Sequence, residues 1–204
     1  MTMGRAHGNQ QKHESRNPVQ RRLIRRFHDA VVDLVEEVGP ASVLEVGCGE
    51  GYVLSALVEA GTSAELTGID LSRDAIDHAR ERLGSRAELR VEDARDLVGT
   101  RERYDVVLML EVLEHLDDPG AMLPVLGRLA GRAVVLSVPW EPWFRGVNLA
   151  RLKNVPGLGN DPEHVNHWSR RGFVRFVGTQ LTVRDVRSPF PWSLIRADVG
   201  SDLP

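Results

Sequence analysis

Between residues 18 and 38 the apolar positions Val19, Leu23, Ile24, Phe27, Ala30, Val31, Leu34, Val35 and Val38 recur three or four apart, and the pattern stops before Gly39 and Pro40. This spacing predicts one amphipathic helix. The apolar run Ser42–Val46 then reads as a first strand, and residues 52–61, YVLSALVEAG, as a helix ended by glycine. The alternation continues. AELTGID (64–70) predicts a second strand, SRDAIDHARERLG (72–84) a helix with Ser72 as N-cap and Gly84 past its end, and AELRVED (87–93) a third strand. YDVVLML (104–110) is a fourth, DDPGAMLPVLGRLAG (117–131) a helix started near Asp118 and Pro119, and RAVVLSVP (132–139) a fifth.

Strands separated by helices of this length imply a parallel sheet covered on both faces, a doubly wound α/β fold. After Pro139 the rhythm breaks. Residues 139–168 carry Trp140, Trp143, Phe144, Trp168 and four prolines with little periodicity, so an irregular insertion is expected there. SRRGFVRFVG (169–178) resumes a helix. LTVRDVR (181–187) and PFPWSLIRADV (189–199) follow with no helix between them, which predicts an antiparallel hairpin. The expected architecture is therefore a Rossmann-like, mostly parallel sheet closed by an antiparallel C-terminal pair.

Composition narrows the setting. The 204 residues suit one domain over 17–204, preceded by a basic tail, 1–16, with almost no apolar content and expected to be disordered. No apolar run reaches membrane-spanning length and the start lacks a secretory pattern, so the expectation is a cytoplasmic protein. Cys48 is the only cysteine, which excludes an intrachain disulfide and a thiolate metal cluster. The net charge of −3 hides an asymmetry: residues 1–28 hold seven Arg and Lys against Glu14 alone, a balance of +6 that leaves −9 for the rest. The basic start of the first helix, RRLIRRF, offers three uses: closing over a nearby opening, contact with an anionic membrane surface, or a grip on nucleic acid.

The first candidate chemistry lies in VLEVGCGEG (43–51). In a doubly wound sheet, ligands bind beyond the carboxyl ends of the strands, where the first loop approaches the ligand and the second strand ends in an acid. Asp70 closes LTGID, 19 residues after Gly51, and a carboxylate there accepts hydrogen bonds from a ribose diol. A nicotinamide dinucleotide and S-adenosylmethionine (SAM) both satisfy that feature. The glycines distinguish them, because dinucleotide binders rest a pyrophosphate on G-x-G-x-x-G. This chain reads G-x-G-x-G with Glu45 before it and Glu50 inside it. Two carboxylates repel a pyrophosphate and attract a sulfonium compound that also carries an amino group.

Together with VEDAR (91–95) and YDVVLMLEVLEHL (104–116), these stretches resemble, in order and spacing, the motifs of the class I SAM-dependent methyltransferases. The resemblance is strong over residues 40–138. It implies that Glu45 and the Gly47, Cys48 and Gly49 turn face the methionine part of SAM, that Asp70 holds the ribose hydroxyls, that Leu71 packs on adenine, and that Asp93 with Ala94 reads the adenine amino edge. Glu111 is placed near methyl transfer. As structural alternatives, Asp93 is a helix N-cap, Leu71 core filler, and Cys48 a small residue filling a tight loop.

EVLEH places Glu111, Glu114 and His115 at i, i+3 and i+4, which share one face if a helical turn follows the fourth strand. DPEHVNHW adds His164 and His167 in the insertion. Two carboxylates with one or two imidazoles suit a divalent cation such as Mg, Mn, Fe or Zn, with Glu111, Glu114, His115 and His164 as ligands and His167 competing for the fourth place. The segment is similar to that of two subgroups, the ubiquinone-biosynthesis O-methyltransferases and the metal-dependent methyltransferases of small-RNA 3′ ends. A hydroxyl acceptor must shed a proton, so Glu111, His115, His164 and His167 are the catalytic candidates, acting through such a metal or, for a histidine, as general base. Trp140, Trp143, Phe144 and Trp168 are candidates for an apolar cover over a flat acceptor, or for a satellite core. The expected function is SAM-dependent O-methylation of a hydroxylated small molecule, a phenol, catechol or natural-product intermediate. The alternatives are RNA ribose 2′-O-methylation at a 3′ end and a protein that binds SAM without turnover.

Overall fold

The computed structural model describes residues 17–140, 166 and 168–200. Seven strands form one sheet: β1 (Ser42–Val46), β2 (Glu65–Asp70), β3 (Glu88–Val91), β4 (Tyr104–Leu110), β5 (Ala130–Pro139), β6 (Thr182–Arg187) and β7 (Trp192–Asp198). Their order is 3-2-1-4-5-7-6. The first five are parallel, and β7 inserts antiparallel between β5 and β6. This is the expected mixed, doubly wound sheet. The strand order reverses between β1 and β4, so the crevice for a ligand opens beyond their carboxyl ends.

Helices α1 (Pro18–Val38), α2 (Tyr52–Glu59), α3 (Arg73–Leu83), α4 (Ala94–Leu97), α5 (Met122–Leu129) and α6 (Arg170–Val177) cover the two faces. Strand alternation sorts the core. Val106, Leu108 and Leu110 of β4 pack with α1, α2 and α3, whereas Val107 and Met109 pack with α4, α5 and α6. Val43 of β1 lies on the first side and Leu44 and Val46 on the second. Glu45 therefore faces the α1, α2, α3 layer.

Asn17 caps α1 by accepting from the Val19 N–H at 3.0 Å, and Gly39 ends it in the left-handed region at φ 60°. The helix buries Phe27, Val31, Leu34 and Val35. Each such side chain contributes roughly 1.5–3 kcal/mol. Ion pairs from Arg187 to Asp33 (3.3 Å) and Glu37, and from Arg196 to Glu37 (3.3 Å), tie the C-terminal half of the helix to the outer strands. At about 0–1 kcal/mol apiece they orient the helix rather than hold it. α1 is thus a packed part of the core layer along this face.

Several boundaries differ from the sequence reading, among them β7, which begins at Trp192 and not at Pro189. The helix expected from Asp118 begins at Met122, because Asp118 caps the preceding turn by accepting from the Ala121 N–H at 3.1 Å. β5 begins at Ala130, where the chain pairs with Tyr104, and not at Arg132. Among the described residues no helix is long and apolar enough to cross a membrane.

Candidate functional site

The turn after β1 folds back on the end of β2. The Gly47 and Cys48 N–H groups donate to the Ile69 carbonyl at 2.8 and 3.0 Å, and Gly49 N–H donates to Asp70 Oδ2 at 3.0 Å. Gly47 has φ 74° and a Cβ there would stand 2.6 Å from a Val112 methyl, so this position requires glycine twice over. Cys48 is 6% exposed with its thiol pushed up by burial, then by the charges of Glu45 and Asp70. It fills space against Gly68, where its sulfur would be 2.9 Å from an added Cβ.

Glu45 is 3% exposed and its Oε2 is buried with no hydrogen-bond partner. Burial and then the charge of Asp70 push its carboxyl up to about 8, while a Leu54 backbone N–H offsets part of the rise. Glu50, also buried, is pushed up chiefly by burial. Carboxyls crowded around a glycine turn, with one buried oxygen unanswered, are relieved by a cation.

Asp70 sits at the end of β2 and works within the protein. One oxygen accepts from Gly49 N–H and the other from Ser72 N–H at 2.8 Å. Leu71, next to it, is 67% exposed, and Val91 at the end of the paired strand is 39% exposed, an apolar step at the carboxyl end of β2 and β3. Asp93 caps α4 through the Arg95 N–H at 2.9 Å, and the Arg95 guanidinium at 2.5 Å holds its carboxyl below the usual range. Ala94 is buried beneath it. The short helix α4 bears out the reading of Asp93 as a helix N-cap.

Past β4 the expected common face does not form. Glu111 takes φ 57° and stands outside the single 3₁₀ turn Leu113–His115, so Glu111, Glu114 and His115 do not lie along one helical stripe. Glu111 Oε2 accepts from the Trp192 indole Nε1–H at 2.7 Å and Oε1 from the Ser137 hydroxyl at 3.2 Å. Glu114 is 1% exposed and His115 is half-buried. Among the described residues no group of three or more His, Cys, Asp or Glu is placed to hold a metal ion. The Glu111 carboxylate is held by the indole and the hydroxyl, and a hydrogen-bonded carboxylate keeps lone pairs for a further partner. His164 and His167 lie outside the described residues, as do Trp143 and Phe144.

Three contributors were missed by the sequence reading: Ser137, Trp192 and Asn166. Asn166 donates its backbone N–H to the Glu114 carbonyl at 3.2 Å and its side-chain amide to Leu116 O at 2.5 Å, anchoring that point of the chain on the turn after β4. Its sole signal was an amide inside the histidine-bearing segment. Trp168 packs on Phe173 and Phe176 at ring separations of 5.8 and 5.3 Å and belongs to the α4, α5, α6 side of the core. Trp140, half-buried at the end of β5, has the Arg170 guanidinium 4.7 Å over its ring.

Residues 19–178 match the family model described as a methyltransferase domain. The ubiquinone biosynthesis O-methyltransferase of Azorhizobium caulinodans is 36% identical over 159 residues, 76% of this chain and 58% of that protein. The protein of the same name from Methylococcus capsulatus is 38% identical over 155 residues, 67% of this chain and 64% of that protein. The chain thus spans less than two thirds of these relatives' length. In fold it is similar to the magnesium protoporphyrin IX methyltransferase of Synechocystis with bound SAH, with a TM-score of 0.69 at 21% identity, covering 96% of this chain and 93% of the other. With the glycine turn, the acid at the end of β2 and the 3-2-1-4-5-7-6 sheet, these matches show that the chain belongs to the class I SAM-dependent methyltransferases.

Proposed function

We propose that the chain transfers a methyl group from SAM to a hydroxyl oxygen of a small organic acceptor of the phenol or catechol type. The observation that carries the cofactor is Glu45, whose buried Oε2 has no hydrogen-bond partner and which feels the charge of Asp70. The ammonium of the SAM amino-acid part fits that oxygen. The ribose diol fits Asp70, and adenine fits the exposed step of Leu71 and Val91. When bound, SAM supplies a methyl group on a positively charged sulfur, open to in-line attack.

The remaining work falls to the chain. Glu111 stands just past β4, at the strand-order reversal, and its fixed carboxylate orients the acceptor hydroxyl. The hydroxyl proton passes to a ring nitrogen of His115, or of His164 or His167. Holding the acceptor in place removes roughly 7–11 kcal/mol of the barrier in well-oriented sites. The choice of oxygen and of a small acceptor is supported by the O-methyltransferase relatives.

The test pairs calorimetric titration of SAM with an assay of SAH release over a panel of phenols and catechols. Binding is expected, together with SAH release that His115→Ala reduces while leaving binding intact. Failure to bind SAM would overturn the cofactor assignment. Binding without SAH release from any acceptor would instead favour a SAM-binding protein without turnover.

A further inference from the structure

We infer that Trp192 is a positioning residue: its indole N–H fixes the Glu111 carboxylate, and its ring links that carboxylate to helix α1 through Phe27. The inference rests on the reading above for what Glu111 does. Its geometry is independent of that reading.

Trp192 opens β7 and pairs with Pro139 at the end of β5, while Ser137 lies two residues earlier on β5. Two adjoining strands thus each present a donor to one carboxylate, the indole at 2.7 Å and the hydroxyl at 3.2 Å. The Glu111 backbone is held as well, its N–H donating to Ser137 at 3.2–3.3 Å. Such holding is needed. Glu111 is the only non-glycine residue with positive φ among the described residues, and a left-handed backbone without glycine relaxes unless its surroundings fix it.

A ring that served packing alone would need no donor. Phenylalanine would also place an aromatic ring on Phe27, which lies 4.9 Å away by ring centroids and is 6% exposed. The indole instead aims its one N–H at a charged oxygen, and a hydrogen bond to a charged group is stronger than a neutral one. Phe27 belongs to the buried face of α1, next to Val31 and Leu34. Seating of the N-terminal helix and aim of the Glu111 carboxylate therefore share one contact.

Trp192→Phe tests this, because it removes the donor while keeping a smaller aromatic ring beside Phe27. The expected result is a fall in kcat of about ten- to hundredfold, with SAM affinity and acceptor KM close to those of the unsubstituted protein and a melting temperature lowered by less than would account for the loss of rate. Phe27→Leu, which keeps an apolar side chain in the core, should lower kcat in the same direction. A second readout needs no acceptor. In protein labelled with ¹⁵N at indole nitrogen, the resonance lost in Trp192→Phe identifies Trp192, and Glu111→Ala should move it and speed its hydrogen exchange. An unmoved resonance in Glu111→Ala, or an unchanged kcat in Trp192→Phe, would overturn the inference. So would a drop in SAM affinity and melting temperature that matches the loss of rate, which is the mark of a purely structural ring. If the unsubstituted protein turns over no phenol or catechol, the acceptor assignment fails, and the indole resonance alone decides whether Trp192 holds Glu111.

Discussion

Replacing Glu45 by Gln should stabilise the ligand-free protein in alkaline solution and leave it unchanged or slightly weaker in acid. Burial and the neighbouring charge of Asp70 push the Glu45 carboxyl from 4.5 up to about 8 in the folded protein. In the unfolded chain the same group ionises near 4.5. Below that pH both states hold the proton and no penalty exists. Between the two values the unfolded chain ionises while the folded chain keeps its proton, so stability falls as pH rises, and above about 8 the loss is complete. At about 1.4 kcal/mol per tenfold change in the proton equilibrium, the full loss is about 5 kcal/mol. Glutamine cannot ionise, and its buried amide returns about 1–3 kcal/mol of that. The net gain above pH 8 is about 2–4 kcal/mol, or roughly 5–15 °C in melting temperature for a chain of this size. Scanning calorimetry at pH 5 and pH 9 reads it. An equal change at both values would refute the reasoning.

The same carboxyl gives cofactor binding a proton signature. An ammonium beside Glu45 favours its ionised form, so near pH 6.5 SAM should expel the proton that the ligand-free folded protein holds there. Titration calorimetry in buffers of different protonation enthalpy should show release of up to about one proton per site, and none with Glu45→Gln. Heat that does not depend on the buffer, or proton uptake, would break the pairing of ammonium with Glu45.

Other perturbations follow from the same geometry. Asp70→Asn should weaken SAM about ten- to hundredfold by calorimetry, because a neutral amide cannot give the ribose diol the charged acceptor it fits. Gly47→Ala should destabilise by about 1–3 kcal/mol in denaturant titration, since its methyl meets Val112 and its φ of 74° disfavours a side chain. Treatment with a chelator should leave SAM binding and SAH release unchanged, because the proposed proton acceptor is a histidine and, among the described residues, no group of three or more His, Cys, Asp or Glu is placed to hold a metal ion. Loss of SAH release, restored by a single divalent cation, would count against that.

The sheet was legible because parallel strands are short apolar runs and the longer helices carry their own period, as in Val106 to Leu110 and in Ala75, Ile76, Ala79 and Leu83 of the crossover helix α3. The glycine turn was legible for a local reason: φ values of 74° and 53° at Gly47 and Gly49 leave a mark in the residue type. The turn after β4 was not. EVLEH has helical spacing, yet only Leu113–His115 make a turn, because Glu111 is drawn into the left-handed region where Trp192 and Ser137 reach it. Those partners stand 81 and 26 residues away in the chain. No period in the sequence encodes such a meeting. It depends on β7 entering the sheet between β5 and β6, whereas a predicted hairpin fixes only that β6 and β7 are neighbours. The insertion of β7 brings the indole to the carboxylate. The orientation of the Glu111 carboxylate is therefore written partly in strand order, which a reading of motifs alone does not supply.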